Sequence, residues 1–190
     1  MASDAELIGR SLSGDLEAFV EVVSRHEAAV WAYLVRRAGQ ELAEDLLGEV
    51  WVHAFESRGA FDRSFPDARP WLFGVARNAL RRHWRSRRAD HVIADLADAA
   101  PAALDPWPAV DERIDGMRAL RRALAQLRPE EREVLFLVVW EELSIADAAR
   151  MLGIPAGTAR YYLHQARLTL RGAPGMVALL TESGTEKETK

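Results

Sequence analysis

Residues 144–167, SIADAARMLGIPAGTARYYLHQAR, decide the fold. Ile145, Ala148, Ala149 and Leu152 recur at three- and four-residue steps, the spacing of one helix face. Ser144 stands where an N-cap belongs, with Asp147 three residues on as in a capping box. Gly153 stops this short helix, and Pro155 leads into a second whose inner face is Leu163, Ala166 and Leu170. A capped helix, a glycine turn and a second helix are the parts of a helix-turn-helix. Arg160, Tyr161, His164, Gln165 and Arg167 point outward, where they could reach base edges or phosphates in a major groove. Residues 148–172 contain four arginines and no acid. Two packed helices with a solvated polar face are the other reading, because arginine is common on helices.

Working outward, residues 114–127 read as a helix, and Pro129 opens another that runs through the apolar stretch 134–140 to about residue 142. Upstream, residues 89–111 lose all periodicity. They are acidic, rich in alanine and interrupted by Pro101, Pro106 and Pro108, the composition of a linker. Four helices precede it. Ser3 caps a short one ending near residue 11, and Ser13, Gly14 and Asp15 break the chain. A long helix over about 16–38 carries Leu16, Phe19, Val20, Val23, Val30, Trp31 and Leu34 as its apolar stripe, and Gly39 ends it. A third spans about 41–57, with Leu42, Leu46, Val50 and His53 inward. A loop at 58–69 contains Gly59 and Pro66, and a fourth helix follows over 70–88. Beyond residue 172 the sequence GAPG breaks the chain, and the tail 173–190 has the composition of a disordered segment. The expected fold is all-α: a four-helix domain over 1–88, a linker over 89–113, and a four-helix domain with the helix-turn-helix over 114–172.

Composition narrows the function. The 190 residues are 49% hydrophobic and include no cysteine, which excludes a disulfide framework, thiolate catalysis and cysteine zinc sites. No apolar run approaches the roughly 20 residues of a membrane span. The beginning, MASDAELIGR, lacks the basic and apolar regions of a signal peptide, so a cytoplasmic protein without membrane insertion is expected. The net charge of −4 hides a block pattern. Residues 1–62 hold 12 acids and 5 bases, 63–89 hold 8 bases and 1 acid, and 90–115 hold 7 acids and 1 base. Two basic blocks imply two anion-facing surfaces. The five histidines show no metal-ligand spacing, and there is neither a phosphate-binding glycine loop nor a Ser/His/Asp cluster. No enzyme activity, metal or cofactor is expected.

Two further stretches carry surface chemistry. In residues 69–88, RPWLFGVARNALRRHWRSRR, Trp71 or Leu72 together with Val75 and Ala79 form an inward stripe. Arg77, Arg81, Arg85 and Arg88 make a basic ridge on another face, with Asn78, Arg82 and Trp84 beside it. Guanidinium groups neutralise phosphates while amides and aromatic faces engage unstacked bases, although a solvated basic face has the same pattern. On the third helix Glu41, Asp45 and Glu49 stand at four-residue steps with Glu44 nearby. Like charges so spaced cost an isolated helix about a few tenths of a kcal/mol per pair. The stripe is either solvated or a docking surface for a basic partner.

Taken together, residues 14–35 (GDLEAFVEVVSRHEAAVWAYLV), 43–55 (AEDLLGEVWVHAF) and 70–88 resemble the σ2 domain of extracytoplasmic-function (ECF) sigma factors of bacterial RNA polymerase. Residues 124–171 resemble their σ4 domain, and the two appear in the family's order. The resemblance implies an initiation factor that binds core polymerase, recognises the −10 and −35 promoter elements and melts DNA. It places Glu41, Glu44, Asp45, Leu46, Glu49, Val50 and Trp51 on the clamp coiled coil of the β′ subunit, and σ4 on the β flap. It assigns Phe61, Asp62, Arg63, Ser64 and Asn78 to capture of a flipped −10 base, with Arg77, Arg81, Arg82 and Arg85 holding the strand. Thr158, Arg160, Tyr161, His164, Gln165 and Arg167 fall on the −35 recognition helix. An anti-sigma factor is the implied regulator, and a place on the nucleoid, through polymerase, the implied location. This chain departs from the family at Gly48, where a Gln is usual, and at Tyr161, Tyr162 and Gln165. The alternative is a stand-alone helix-turn-helix regulator, against which the distant ridge at 77–88 argues.

Overall fold

The computed structural model describes residues 1–92 and 123–171, all in helices, turns and loops. The chain divides into two units, Met1–Ala109 and Val110–Lys190. The first contains α1 (Asp4–Leu12), α2 (Leu16–Ala38), α3 (Gln40–Ser57), a 3-10 turn (Arg58–Ala60) and α4 (Arg69–Val92). The second contains α5 (Pro129–Val139), α6 (Ile145–Leu152) and α7 (Ala156–Leu170).

Local chemistry sets the starts of α1 and α2. Ser3 Oγ accepts from Glu6 N–H at 3.2 Å while the Glu6 carboxylate accepts from Ser3 N–H at 2.7 Å, a closed capping box. The Ser3 backbone N–H, and after it the Ser3 hydroxyl, hold the Glu6 carboxyl below its ordinary pKa. Asp15 caps α2 through Ala18 N–H and accepts from Arg10 at 2.7 Å, which fixes the turn between the first two helices. Gly39, at φ 80°, both ends α2 and starts α3, a backbone shape that side chains disfavour.

The core of the first unit lies where α2, α3 and α4 meet, with α1 packed on α2. Tyr33 stacks on Phe73 at 4.9 Å, and the buried Arg37 places its guanidinium 3.7 Å from the Tyr33 ring centre. Such a desolvated cation over a ring is a stabilising contact. Three inward stripes differ from expectation. On α2 the buried line is Ala18, Phe19, Val22, Val30, Tyr33 and Leu34, whereas Leu16 and Val20 are 58% and 54% exposed. Phe19 decides this phase by meeting Phe55 of α3 edge-on at 5.2 Å. On α3, Ala43 and Ala54 join Leu46 and Val50 inside, and His53 stands half-exposed between Glu49 and Glu56. On α4, Leu72, Phe73, Ala76, Ala79 and Leu80 are buried, while Trp71 and Val75 are half-buried. Helix α4 also continues to Val92 rather than stopping at 88, since no Gly or Pro interrupts it there. The side chain of Arg88 lies outside the described residues, as do residues 93–122 and 172–190, which hold most of the expected linker, the start of the helix at 114–127, and the tail.

In the second unit Ala123, Leu124 and Leu127 share a core with α5, α6 and α7. Helix α5 stops at Val139, earlier than its apolar run suggests. Glu142 adopts φ 54° and reverses the chain, so that Leu143 is buried and its N–H reaches Leu137 O at 3.0 Å. Ser144 caps α6 by accepting from Asp147 N–H at 3.1 Å, while its hydroxyl donates to the Asp147 carboxylate at 2.7 Å. Gly153 closes α6 at φ 69°, with Ile154 N–H on Ala149 O and Gly153 N–H on Arg150 O. That pair of bonds is the Schellman motif, which needs a left-handed residue where Gly153 stands. Helix α7 begins at Ala156, two residues before Thr158.

Candidate nucleic-acid interface

Three surfaces gather the residues singled out by the sequence, two in the first unit and one in the second. On α4, Asn78, Arg81 and Arg85 are exposed and Arg77 and Arg82 are half-buried. At about 100° per residue they cover one side of the helix, opposite Phe73, Ala76 and Leu80. Arg85 Nε donates to Arg81 O at 3.2 Å, which keeps that guanidinium along the ridge. Arg82 is different: its Nη2 donates to Glu49 Oε1 at 2.7 Å, so one end of the ridge is tied to α3.

The loop before α4 divides its residues between fold and surface. Phe61 is 7% exposed and packs on Trp71 at 5.4 Å, so in this conformation it anchors the loop and offers no open face to a base. Asp62, Arg63 and Ser64 are exposed, and Asp62 Oδ1 accepts from Ser64 N–H at 3.0 Å in a tight local turn.

The acidic stripe of α3 divides in the same way. Glu41, Glu44, Asp45 and Glu49 are exposed, with Glu44 accepting from Gln40 at 3.3 Å. Leu46 and Val50 are 3% and 0% exposed and belong to the core, because they lie on the face turned to α2 and α4. They support the stripe from behind. Trp51 is half-buried.

On α7, Arg160, Tyr161 and His164 are exposed, and Thr158, Gln165 and Arg167 are half-buried. The rings of Tyr161 and Tyr162 lie 5.9 Å apart. Leu168 and Arg171, which sequence reasoning passed over, extend this face, with Leu168 43% exposed. Leu168 lies off the core line, which Ala159, Leu163, Ala166 and Leu170 fill.

A fourth feature was invisible in the sequence. Asp4, at the start of α1, is 6% exposed and accepts from Ala68 N–H at 2.9 Å, Arg25 Nη1 at 3.1 Å and His26 Nε2 at 2.7 Å. Burial alone would raise its carboxyl pKa, but the His26, Ala68 and Arg25 interactions outweigh it and hold the group below its ordinary value. Asp67 lies close enough for Asp4, His26 and Asp67 to offer three ligand atoms within 4.8 Å of one another. The Asp4 carboxylate is filled by its donors and faces Arg25, so this is an ion-pair and hydrogen-bond network with a cation already in place.

Two small helical units, one ending in a helix-turn-helix, with cationic faces opposite their cores, define a class of DNA-dependent regulatory protein. Comparison with known proteins narrows it. Residues 22–89 match the sigma-70 region 2 family and residues 117–170 match sigma-70 region 4. The ECF sigma factor SigM of Mycobacterium tuberculosis is 34% identical over 170 residues, 88% of this chain and 83% of SigM. The sigma factor CarQ of Myxococcus xanthus is 33% identical over 90% of this chain and 97% of CarQ. The match to the ECF sigma factor BldN of Streptomyces coelicolor is 29% identical and spans 63% of that protein's length. The fold is shared with CnrH, solved with the cytosolic domain of CnrY, at TM-score 0.61 and 24% identity over 94% of this chain and 97% of CnrH. It is shared equally with the sigma factor RpoE, solved with the anti-sigma factor NepR from Bartonella quintana, at TM-score 0.61 over 86% of this chain and 96% of RpoE. The chain belongs to the ECF sigma factors of RNA polymerase. The stand-alone regulator is thereby set aside, since region 2 and region 4 occur together in one chain. Among the described residues, no helix is long and apolar enough to cross a membrane.

Proposed function

We propose that this sigma factor divides promoter recognition between its two units. Asp62, Arg63 and Ser64, with Asn78 and the Arg77, Arg81 and Arg85 ridge, capture and hold the −10 strand, and α7 reads the −35 element through Arg160, Tyr161, His164 and Gln165. One observation carries this reading: the exposed loop residues lead directly into the helix that bears the first cationic face. A base out of the stack costs a few kcal/mol, and a polar loop beside a phosphate-binding ridge is suited to offset that cost. Helix α7 instead offers a continuous outward face to an intact groove.

The stripe of Glu41, Glu44, Asp45 and Glu49, together with Trp51, is the docking surface for core polymerase, through the β′ clamp coiled coil, and the second unit meets the β flap. The domain limits that go with this division are 1–88, a linker at 89–113, and 114–172. The protein acts as a polymerase subunit in the cytoplasm, on the nucleoid, and not as an enzyme. An anti-sigma factor that covers the two promoter-facing surfaces is its regulator, and the absence of cysteine assigns any redox sensing to that partner.

The test is reconstitution with core polymerase and selection of initiated promoters from genomic DNA. The expected result is a set of start sites sharing one −10 and one −35 sequence at fixed spacing. Start sites without a shared pair of elements would overturn the division.

A further inference from the structure

Helix α1 touches the 58–68 segment at three places, in antiparallel order. Near the C-terminal end of α1, Leu12 Cδ2 lies 3.8 Å from where a Cβ on Gly59 would stand. In its middle, a Cβ on Gly9 would lie 3.3 Å from Nη1 of Arg63. At its start, Asp4 N–H donates to Pro66 O at 3.0 Å and the Asp4 carboxylate accepts from Ala68 N–H at 2.9 Å. The last contact is braced from behind by α2. His26 Nε2 lies 2.7 Å from the same carboxylate, and Arg25 Nη1 bonds both Asp4, at 3.1 Å, and Ala2 O, at 2.7 Å. Local contacts add to these: Phe61 packs on Trp71, Phe61 N–H reaches Arg58 O, Phe65 N–H reaches Asp62 O, and the Asp62 carboxylate accepts from Ser64 N–H.

We infer that Asp4 is a positioning residue for promoter opening, and that through Pro66 and Ala68 it fixes the loop conformation in which Asp62, Arg63 and Ser64 stand ready for the −10 strand. The inference rests on the −10 reading proposed above. Its physical basis is preorganisation. A loop that must be ordered when a base arrives loses binding free energy to that ordering, whereas a loop already splinted to a helix does not. The bonds also have the right direction. They hold backbone groups of 66–68 and leave the side chains of 62–64 exposed.

The experiment uses the full chain, free and in reconstituted holoenzyme, on a promoter selected by the wild-type holoenzyme. Three variants are compared: Asp4→Asn, His26→Leu, and the loop double variant Asp62→Ala with Arg63→Ala. Asp4→Asn is expected to raise amide exchange across 59–69 well beyond the rise that lost global stability gives across 16–57. It should weaken binding of a single-stranded −10 oligonucleotide about tenfold, with upstream duplex binding and core affinity unchanged. His26→Leu, which removes one donor from the carboxylate, should act in the same direction but about threefold. It keeps the test decisive if Asp4→Asn unfolds. If the loop variant loses the −10 strand while His26→Leu and any folded Asp4→Asn protein bind it normally, the −10 reading stands and the positioning role falls. If the loop variant also binds normally, the −10 reading falls and takes the inference with it.

Discussion

Arg82 and Glu49 join the two charged surfaces of the first unit, with Nη2 on Oε1 at 2.7 Å across 33 residues of sequence. A residue of the basic ridge is thus held by a residue of the acidic stripe. The side chains are 41% and 42% exposed, which places the pair among surface ion pairs worth about 0–1 kcal/mol. Its consequence is orientation more than stability: Glu49 turns Arg82 toward α3.

Asp45 and Glu49 should therefore behave differently, although both belong to one stripe. Asp45→Lys is expected to weaken association with core polymerase and to leave opening normal once the complex is saturated. Glu49→Lys adds repulsion against Arg82, so it should also slow opening at saturation. Fluorescence anisotropy for core binding and single-round transcription for opening separate the two. Equal behaviour of the two variants in both assays would mean that the pair has no role on the DNA side.

Gly48 lies exposed within α3, and a Cβ there meets nothing within 4 Å. Glycine inside a helix costs about 0.5–1 kcal/mol relative to alanine. Gly48→Ala should stabilise the first unit by about that amount in urea denaturation. Gly48→Gln, the residue usual in the family, should stabilise it slightly less and strengthen core binding. A loss of stability in either variant would show that α3 needs the glycine for a reason other than space.

What was legible in the sequence was local. The Ser3 cap, the Ser144 cap and the Gly153 stop each need partners within five residues, and each is found where the sequence puts it. The faces of α2 and the end of α5 depend on distant partners. Leu16 and Val20 satisfy helical spacing as well as Phe19 and Val22 do, and contacts with other helices, such as Phe19 on Phe55 and Tyr33 on Phe73, choose between them. Glu142 reverses the chain without the glycine that normally marks a left-handed residue. The Asp4 network was beyond reach for the same reason. Its donors lie 21, 22 and 64 residues away, and Asp4 alone reads as an ordinary acid in a first turn.

Asp4 also makes stability depend on pH in a stated direction. The folded carboxyl has a lowered pKa, so the unfolded chain binds the proton more readily. The stabilisation is complete above the unfolded value of about 3.9 and is lost as pH falls through the folded one. Asp4→Asn leaves buried donors facing an amide, at a cost of about 1–3 kcal/mol at neutral pH. The difference between wild type and Asp4→Asn should shrink below about pH 4, as seen by urea unfolding monitored through near-UV circular dichroism. A difference that stays constant on acidification would mean that the carboxylate charge contributes nothing.

The two DNA faces should fail at different steps. Arg160 stands exposed near the start of α7, where a recognition helix meets base edges. Arg160→Ala should impair promoters in proportion to their dependence on the −35 sequence, because a base-reading arginine supplies roughly 1–3 kcal/mol of discrimination. Asn78 and Arg81 are exposed on α4, the helix that follows the loop holding Asp62 and Ser64. Replacing both with alanine should spare the closed complex and impair opening, since a base must leave the stack before that surface can hold it. A gel shift at low temperature reports the closed complex, and permanganate reactivity of thymines around the −10 element reports opening. Should the Asn78/Arg81 variant lose the closed complex yet act normally on a pre-melted template, α4 would be a duplex-binding surface and melting would have to be assigned elsewhere.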